Sequence, residues 1–112
     1  MSAVRRFGMA ARLVPERREE YLRLHSAVWP AVEDTLRACG IRNFTIFERG
    51  GVIFGYYEYV GDDYAADQAR MAADPVTREW WSRTDPCQLP FDAEGAPERA
   101  TWQEFTEAWH QD

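Results

Sequence analysis

Residues 42–60 read Arg42-Asn43-Phe44-Thr45-Ile46-Phe47-Glu48-Arg49-Gly50-Gly51-Val52-Ile53-Phe54-Gly55-Tyr56-Tyr57-Glu58-Tyr59-Val60. Two runs dense in Phe, Tyr, Ile and Val, 42–48 and 52–60, flank Arg49-Gly50-Gly51. Adjacent glycines supply the backbone freedom a tight reversal needs, so the stretch predicts a β-hairpin. Gly40, just before it, is placed to end a helix. Upstream, Glu16 to about His25 is rich in Glu, Arg and Leu, with Tyr21, Leu24 and Val28 on one face and Pro15 at its start. Pro30 interrupts this helix near Trp29, and a second helical run continues through Val32 and Leu36. At the N-terminal side, residues 5–13 alternate, with Phe7, Met9, Ala11 and Leu13 on one face and Arg6, Gly8, Ala10 and Arg12 on the other, the pattern of a strand.

On the C-terminal side of the hairpin, Gly61-Asp62-Asp63 offers an N-cap for a helix to about Ala73. Asp74-Pro75 opens a further helical turn or two carrying Trp80 and Trp81, and Asp85-Pro86 ends it. Residues 86–98, rich in Pro and Gly, predict a surface loop, and a last strand is expected near Ala100 to Thr106. The order strand, helix, strand, strand, helix, strand is the ferredoxin-like βαββαβ pattern. It implies an α+β fold, one domain over residues 1–112, with a four-stranded antiparallel sheet and helices on one side. The other sheet face then needs cover, and a second copy of the chain, giving a homodimer, is the expected one.

The chain's 112 residues are 46% hydrophobic and 14% aromatic, enough for a packed core. Thirteen basic and nineteen acidic residues give a formal charge of −6, which argues against nucleic acid or an anionic membrane surface as partner and leaves a small neutral molecule. Cys39 and Cys87 stand alone, with no CxxC and no His/Cys cluster at metal spacing, so two reduced, buried thiols and no metal site are expected. The apolar stretch before Arg12 is too short and broken for a signal segment, and a cytoplasmic location is expected.

His25 is one of only two histidines, and its imidazole exchanges protons near neutral pH. Tyr21 precedes it by four residues, one helical turn, so phenol and imidazole lie side by side, fit to hold a hydroxyl and move a proton. Such a pair also serves plain packing and capping. Adjacent helical residues diverge by about 100°, so Trp80 and Trp81 cannot both face one core. One of them is therefore free to line a pocket, where an indole offers a sugar its face and its N–H; sealing a core or an interface is the plain alternative. Trp29, Trp102 and Trp109 default to packing, His110 to solvent, and the acidic pairs Glu19-Glu20 and Asp62-Asp63 to solvated surface or caps.

The run Glu20-Tyr21-Leu22-Arg23-Leu24-His25-Ser26-Ala27-Val28-Trp29-Pro30 resembles the first signature of the L-rhamnose mutarotases: a Tyr, three residues, a His, then Trp-Pro. Asn43-Phe44-Thr45-Ile46-Phe47 resembles that family's second strand, Trp80-Trp81 its tryptophan pair and Gln103-Glu104-Phe105 its final strand. The resemblance implies a dimeric α/β barrel without cofactor that interconverts the α and β anomers of L-rhamnose or a related deoxyhexose. Carried over by position, it makes His25 the catalytic proton donor and Tyr21, Trp80 and Trp81 substrate-binding residues. Phe44 stands where the family has a substrate-binding tyrosine, and Asp85-Pro86 follows the tryptophans sooner than in the family pattern. Those departures keep a second reading open, a barrel adapted to another small-molecule reaction such as cofactor-free oxygenation or isomerisation. A binding protein in which Tyr21 and His25 merely pack is the third.

Overall fold

A computed structural model describes residues 3–92 and 101–112. Strand β1 runs over Arg5–Leu13, and a single 3-10 turn at Pro15–Arg17 leads into helix α1, Arg18–His25. Pro30 sits at the first turn of α2, Pro30–Ala38, where its missing N–H costs nothing. Strands β2, Ile41–Arg49, and β3, Val52–Tyr59, form the hairpin; Gly50 and Gly51 both have positive φ, 58° and 82°, as a two-residue type I′ turn demands. Helix α3, Tyr64–Ala73, starts at Asp63, whose carboxylate accepts from the Ala66 N–H, and α4, Pro75–Thr84, starts at Asp74, which caps Thr77 in the same way. A 3-10 turn, Asp85–Cys87, follows, then two three-residue strands, β4 at Gln88–Pro90 and β5 at Gln103–Phe105.

The sheet order is β2-β3-β1-β4, with β1 antiparallel to both β3 and β4. β5 also pairs antiparallel with β1, against Gly8–Ala10, while β4 pairs with Ala11–Leu13. The two short strands therefore share one edge of β1, end to end, and the fourth position of a ferredoxin-like sheet is filled by two pieces rather than one. This corrects the expected single strand: of the described part of the predicted 100–106, residues 103–105 pair. The predicted surface loop also begins later than residue 86, since Cys87 is fully buried and Gln88–Pro90 is strand. Positions 93–98 of that loop and Ala100 lie outside the described residues. Helix α4 is longer than the expected turn or two, at ten residues.

Period-2 alternation decides what each strand buries. Phe7, Met9, Ala11 and Leu13 of β1 meet Ile53, Tyr57 and Tyr59 of β3 on the helix side, and Cys39, Ile41 and Met71 complete the packing. Phe7 stacks on Tyr57 and Tyr64 at ring separations of 4.9 and 4.8 Å, and the Tyr57 and Tyr64 hydroxyls hydrogen-bond to each other. Both cysteines are free thiols in this interior. The opposite face carries Gly8, Ala10 and Phe54, with exposed Phe47, Leu89 and Phe105, and no helix of the described residues lies over it.

One irregularity in the sheet shapes the interior. Between Arg42 opposite Glu58 and Thr45 opposite Tyr56, the two residues Asn43 and Phe44 face the single residue Tyr57, a β-bulge. Asn43 adopts φ 54°, a conformation asparagine tolerates better than most residues, and its amide donates to Glu58 at 3.1 Å. The extra residue resets the alternation, so that Phe44 and Ile46 continue the inward row begun by Ile41.

Candidate active site

A cavity of about 760 Å³ opens between the inward sheet face and the helices. Its lining includes all five residues singled out in the sequence: Tyr21 and His25 from α1, Phe44 from the bulge, and Trp80 and Trp81 from α4. The helical turn between Tyr21 and His25 brings their rings to 4.2 Å, and His25 meets the edge of Trp80 at 5.4 Å. Trp29 leans on Trp80 at 5.2 Å and carries Arg83 over its face at 5.3 Å, which fixes the tryptophan wall from behind.

The adjacent tryptophans resolve as geometry requires. Trp80 is buried, at 5% exposure, while Trp81 is half-buried against the core containing Phe7 and Met9. Both reach the cavity from different sides of the helix. Phe44 contributes a ring 5.4 Å from that of Tyr57. Gly55 on the facing strand keeps the floor low: a Cβ there would stand 3.4 Å from Trp102, 3.5 Å from Met9 and 3.6 Å from Phe44, so anything beyond alanine would fill the space.

Polar and charged side chains, among them Arg37, Arg42 and Gln68, share the lining with the aromatic ones. Tyr21 is 1% exposed, yet its hydroxyl makes no hydrogen bond, alone among buried side-chain polar atoms of the described residues. Burial pushes this phenol up to about 12, with Gln88 beside it pulling the other way. An unmatched buried hydroxyl costs about 1–3 kcal/mol, which a ligand hydroxyl at the same place would recover. His25 places Nδ1 2.9 Å from the main-chain oxygen of Tyr21. A carbonyl only accepts, so Nδ1 carries the hydrogen and Nε2 is the atom left to exchange a proton. Burial lowers the imidazole below its usual value, and the bond to Tyr21 opposes the change. Among the described residues no three His, Cys, Asp or Glu side chains converge as a metal site would require.

Other cavity residues carried no signal in the sequence, Glu33, Arg37, Arg42 and Gln68 among them. Trp102, read as packing, lines the cavity from the chain just before β5; Asp85 and Gln88, read as an element end and a loop, line it beside the Tyr21 end. Each arrives through contacts far apart in sequence, so no local periodicity marks it. His110, as expected, is in the tail, paired with Asp112 at 2.9 Å.

Residues 6–111 match the family model for L-rhamnose mutarotase. The chain belongs to the L-rhamnose mutarotase family. Similar relatives include the L-rhamnose mutarotase of Listeria monocytogenes, 34% identical over 76 residues (66% of this chain, 70% of the relative). That of Oceanobacillus iheyensis is 24% identical over 111 residues, covering 97% and 100% of the two chains. Among solved structures, the L-rhamnose mutarotase of Formosa agariphila superposes with a TM-score of 0.72 over 96% of this chain and 99% of the other, at 16% identity. Tetracenomycin F2 cyclase of Streptomyces glaucescens gives 0.64 over the same shares at 18% identity, which marks a shared fold. In this family member the signature residues of helix α1 and the tryptophan pair of α4 meet across one cavity.

Proposed function

We propose that the protein interconverts the α and β anomers of L-rhamnose or a related deoxyhexose, with His25 as the proton-moving group. The observation that carries this reading is the unmatched, buried Tyr21 hydroxyl beside His25 in a cavity walled by Trp80 and Trp81. A deoxyhexose has hydroxyls to meet that phenol and an apolar ring face and methyl to lie on indoles and on Phe44. Family membership supports mutarotation over another small-molecule reaction, and the exchangeable imidazole supports it over a binding-only role.

Mutarotation needs acid/base chemistry alone. A proton reaches the ring oxygen, the C1–O5 bond opens to the aldehyde, the C1–C2 bond turns, and the ring recloses on the other face. With Nδ1 committed to the Tyr21 carbonyl, Nε2 of His25 gives the proton on opening and takes it back on closure. General acid/base help of about 10²- to 10⁴-fold suits a reaction that already proceeds in water. Tyr21 orients the sugar and the tryptophans hold its apolar face. No cofactor enters this scheme.

The chain works in this reading as a homodimer in the cytoplasm, its bare sheet face covered by a second copy; the exposed Phe47, Leu89 and Phe105 support such a partner. The activity is tested by NMR of anomer exchange in L-rhamnose, then L-fucose. Acceleration of either sugar supports the reading, and unchanged exchange in both would overturn it.

A further inference from the structure

Acid/base ring opening has two ends, and His25 serves only one of them. Among the described residues, the cavity lining holds two carboxylates, Asp85 and Glu33, and two guanidinium groups, Arg37 and Arg42. Glu33 lies in the first turn of α2. Asp85 begins the 3-10 turn that packs directly on α1, the helix of Tyr21 and His25. Two residues on, Cys87 is fully buried and packs in one cluster with Tyr21, and Gln88 lies beside the Tyr21 phenol. The main-chain N–H of Asp85 closes α4 onto the Trp81 carbonyl, so one short turn joins the tryptophan wall to the tyrosine end. Its carboxylate has no hydrogen bond and no ion pair with the described residues, and neither caps nor latches anything.

We propose that Asp85 is the second acid/base group of the anomer interconversion, an assignment that rests on the mutarotase reading above. On opening, protonated His25 gives its Nε2 proton to the ring oxygen and the C1–O5 bond breaks, its electron pair staying on O5. The anomeric O–H gives its proton to the Asp85 carboxylate as C1=O1 forms. The products are the open aldehyde with a hydroxyl on O5, neutral His25 and protonated Asp85. Reclosure on the other face returns the O5 proton to His25 and the Asp85 proton to O1, so both groups end as they began.

Burial acts on the two groups in opposite directions, lowering the imidazole and raising the carboxyl. The titratable and charged groups on the elements around Asp85 are Arg18, Glu19, Glu20, Tyr21, Arg23 and His25 on α1, Glu33, Asp34 and Arg37 on α2, Arg42 on β2, Arg78, Glu79 and Arg83 on α4, and Cys87 on its own turn; of these, Tyr21, His25, Glu33, Arg37 and Arg42 line the cavity, and burial is the one cause of the rise at Asp85. The reacting form has His25 protonated and Asp85 ionised. Activity therefore falls at low pH as Asp85 takes a proton and at high pH as His25 loses one.

Anomer exchange of L-rhamnose is measured against pH for wild type, Asp85→Asn, Asp85→Ala and Glu33→Gln. Asp85→Asn should lower kcat by about 10²-fold or more with little change in KM, and should abolish the acid limb of the profile. Added formate should restore part of the rate to Asp85→Ala, which a merely structural loss would not allow. Glu33→Gln should keep the acid limb of the profile, whatever its effect on KM. An active wild type with Asp85→Asn equally active, or with Glu33→Gln losing that limb, overturns this assignment alone. A wild type inactive on both L-rhamnose and L-fucose overturns the mutarotase reading beneath it.

Discussion

At the scale of single residues, Tyr21 and His25 show how little spacing alone conveys. Four residues apart on a helix, they were legible as neighbours, and the ring separation of 4.2 Å is that neighbourhood. What the sequence could not show is that the Tyr21 hydroxyl is buried without a partner, because that depends on what Cys87 and Gln88 bring from the other end of the chain. Phe44 is the reverse case. Its identity was legible as the loss of a hydroxyl, while its placement on the cavity wall depends on the bulge at Asn43. Phe44→Tyr should restore a polar contact to the sugar. Phe44 is 42% exposed, so the added hydrogen bond is worth about 0.5–1.5 kcal/mol, or roughly 2- to 13-fold in kcat/KM for L-rhamnose. Steady-state exchange rates check this; equal or lower turnover would mean that the ring of Phe44 is fitted to a different substrate.

Among elements, the hairpin and the first strand were legible because alternation and Gly50-Gly51 are local signals. The split fourth position was not, since Gln88–Pro90 is three residues amid prolines and becomes strand only by pairing with Ala11–Leu13 across the fold. The attitude of α1 against the sheet also rests on a distant pair. Arg18 donates through Nε and Nη2 to the two oxygens of Glu48 on β2, both at 2.8 Å, and the Gly51 N–H adds a third bond at 3.0 Å. The Arg18 hydrogen bond, with help from Gly51, holds the Glu48 carboxyl down to about 2, against an ordinary value of 4.5. A depressed carboxyl contributes stability that is full above its unfolded value and fades as pH falls through its folded one. Thermal melts of Glu48→Gln and wild type should therefore differ above pH 4.5 and converge toward pH 2. The Arg18 side chain is exposed while that of Glu48 is largely covered, 47% against 11%, so solvent still screens the pair and the gap is modest and shrinks with salt. A gap that stays constant across that range would mean that Glu48 acts by packing alone.

For the whole molecule, the helices gather on one face of the sheet and leave Phe47, Leu89 and Phe105 exposed on the other. Phe54 meets Phe105 at 5.8 Å on that face, and Phe91 meets it at 5.6 Å, so the apolar residues form one patch. Sedimentation should find a dimer at micromolar concentration, and Phe105→Glu should shift it to monomer while the fold persists. A wild-type monomer would contradict the paired-sheet arrangement. The central claim concerns the other face, where the cavity is, and one measurement reaches it directly. Saturation transfer between the α and β anomeric protons of L-rhamnose at equilibrium reports exchange without any coupled reaction. The account predicts that wild-type protein accelerates that transfer and that His25→Ala, still folded, does not. Exchange accelerated equally by both proteins would remove His25 from the mechanism, and exchange accelerated by neither would contradict the account as a whole.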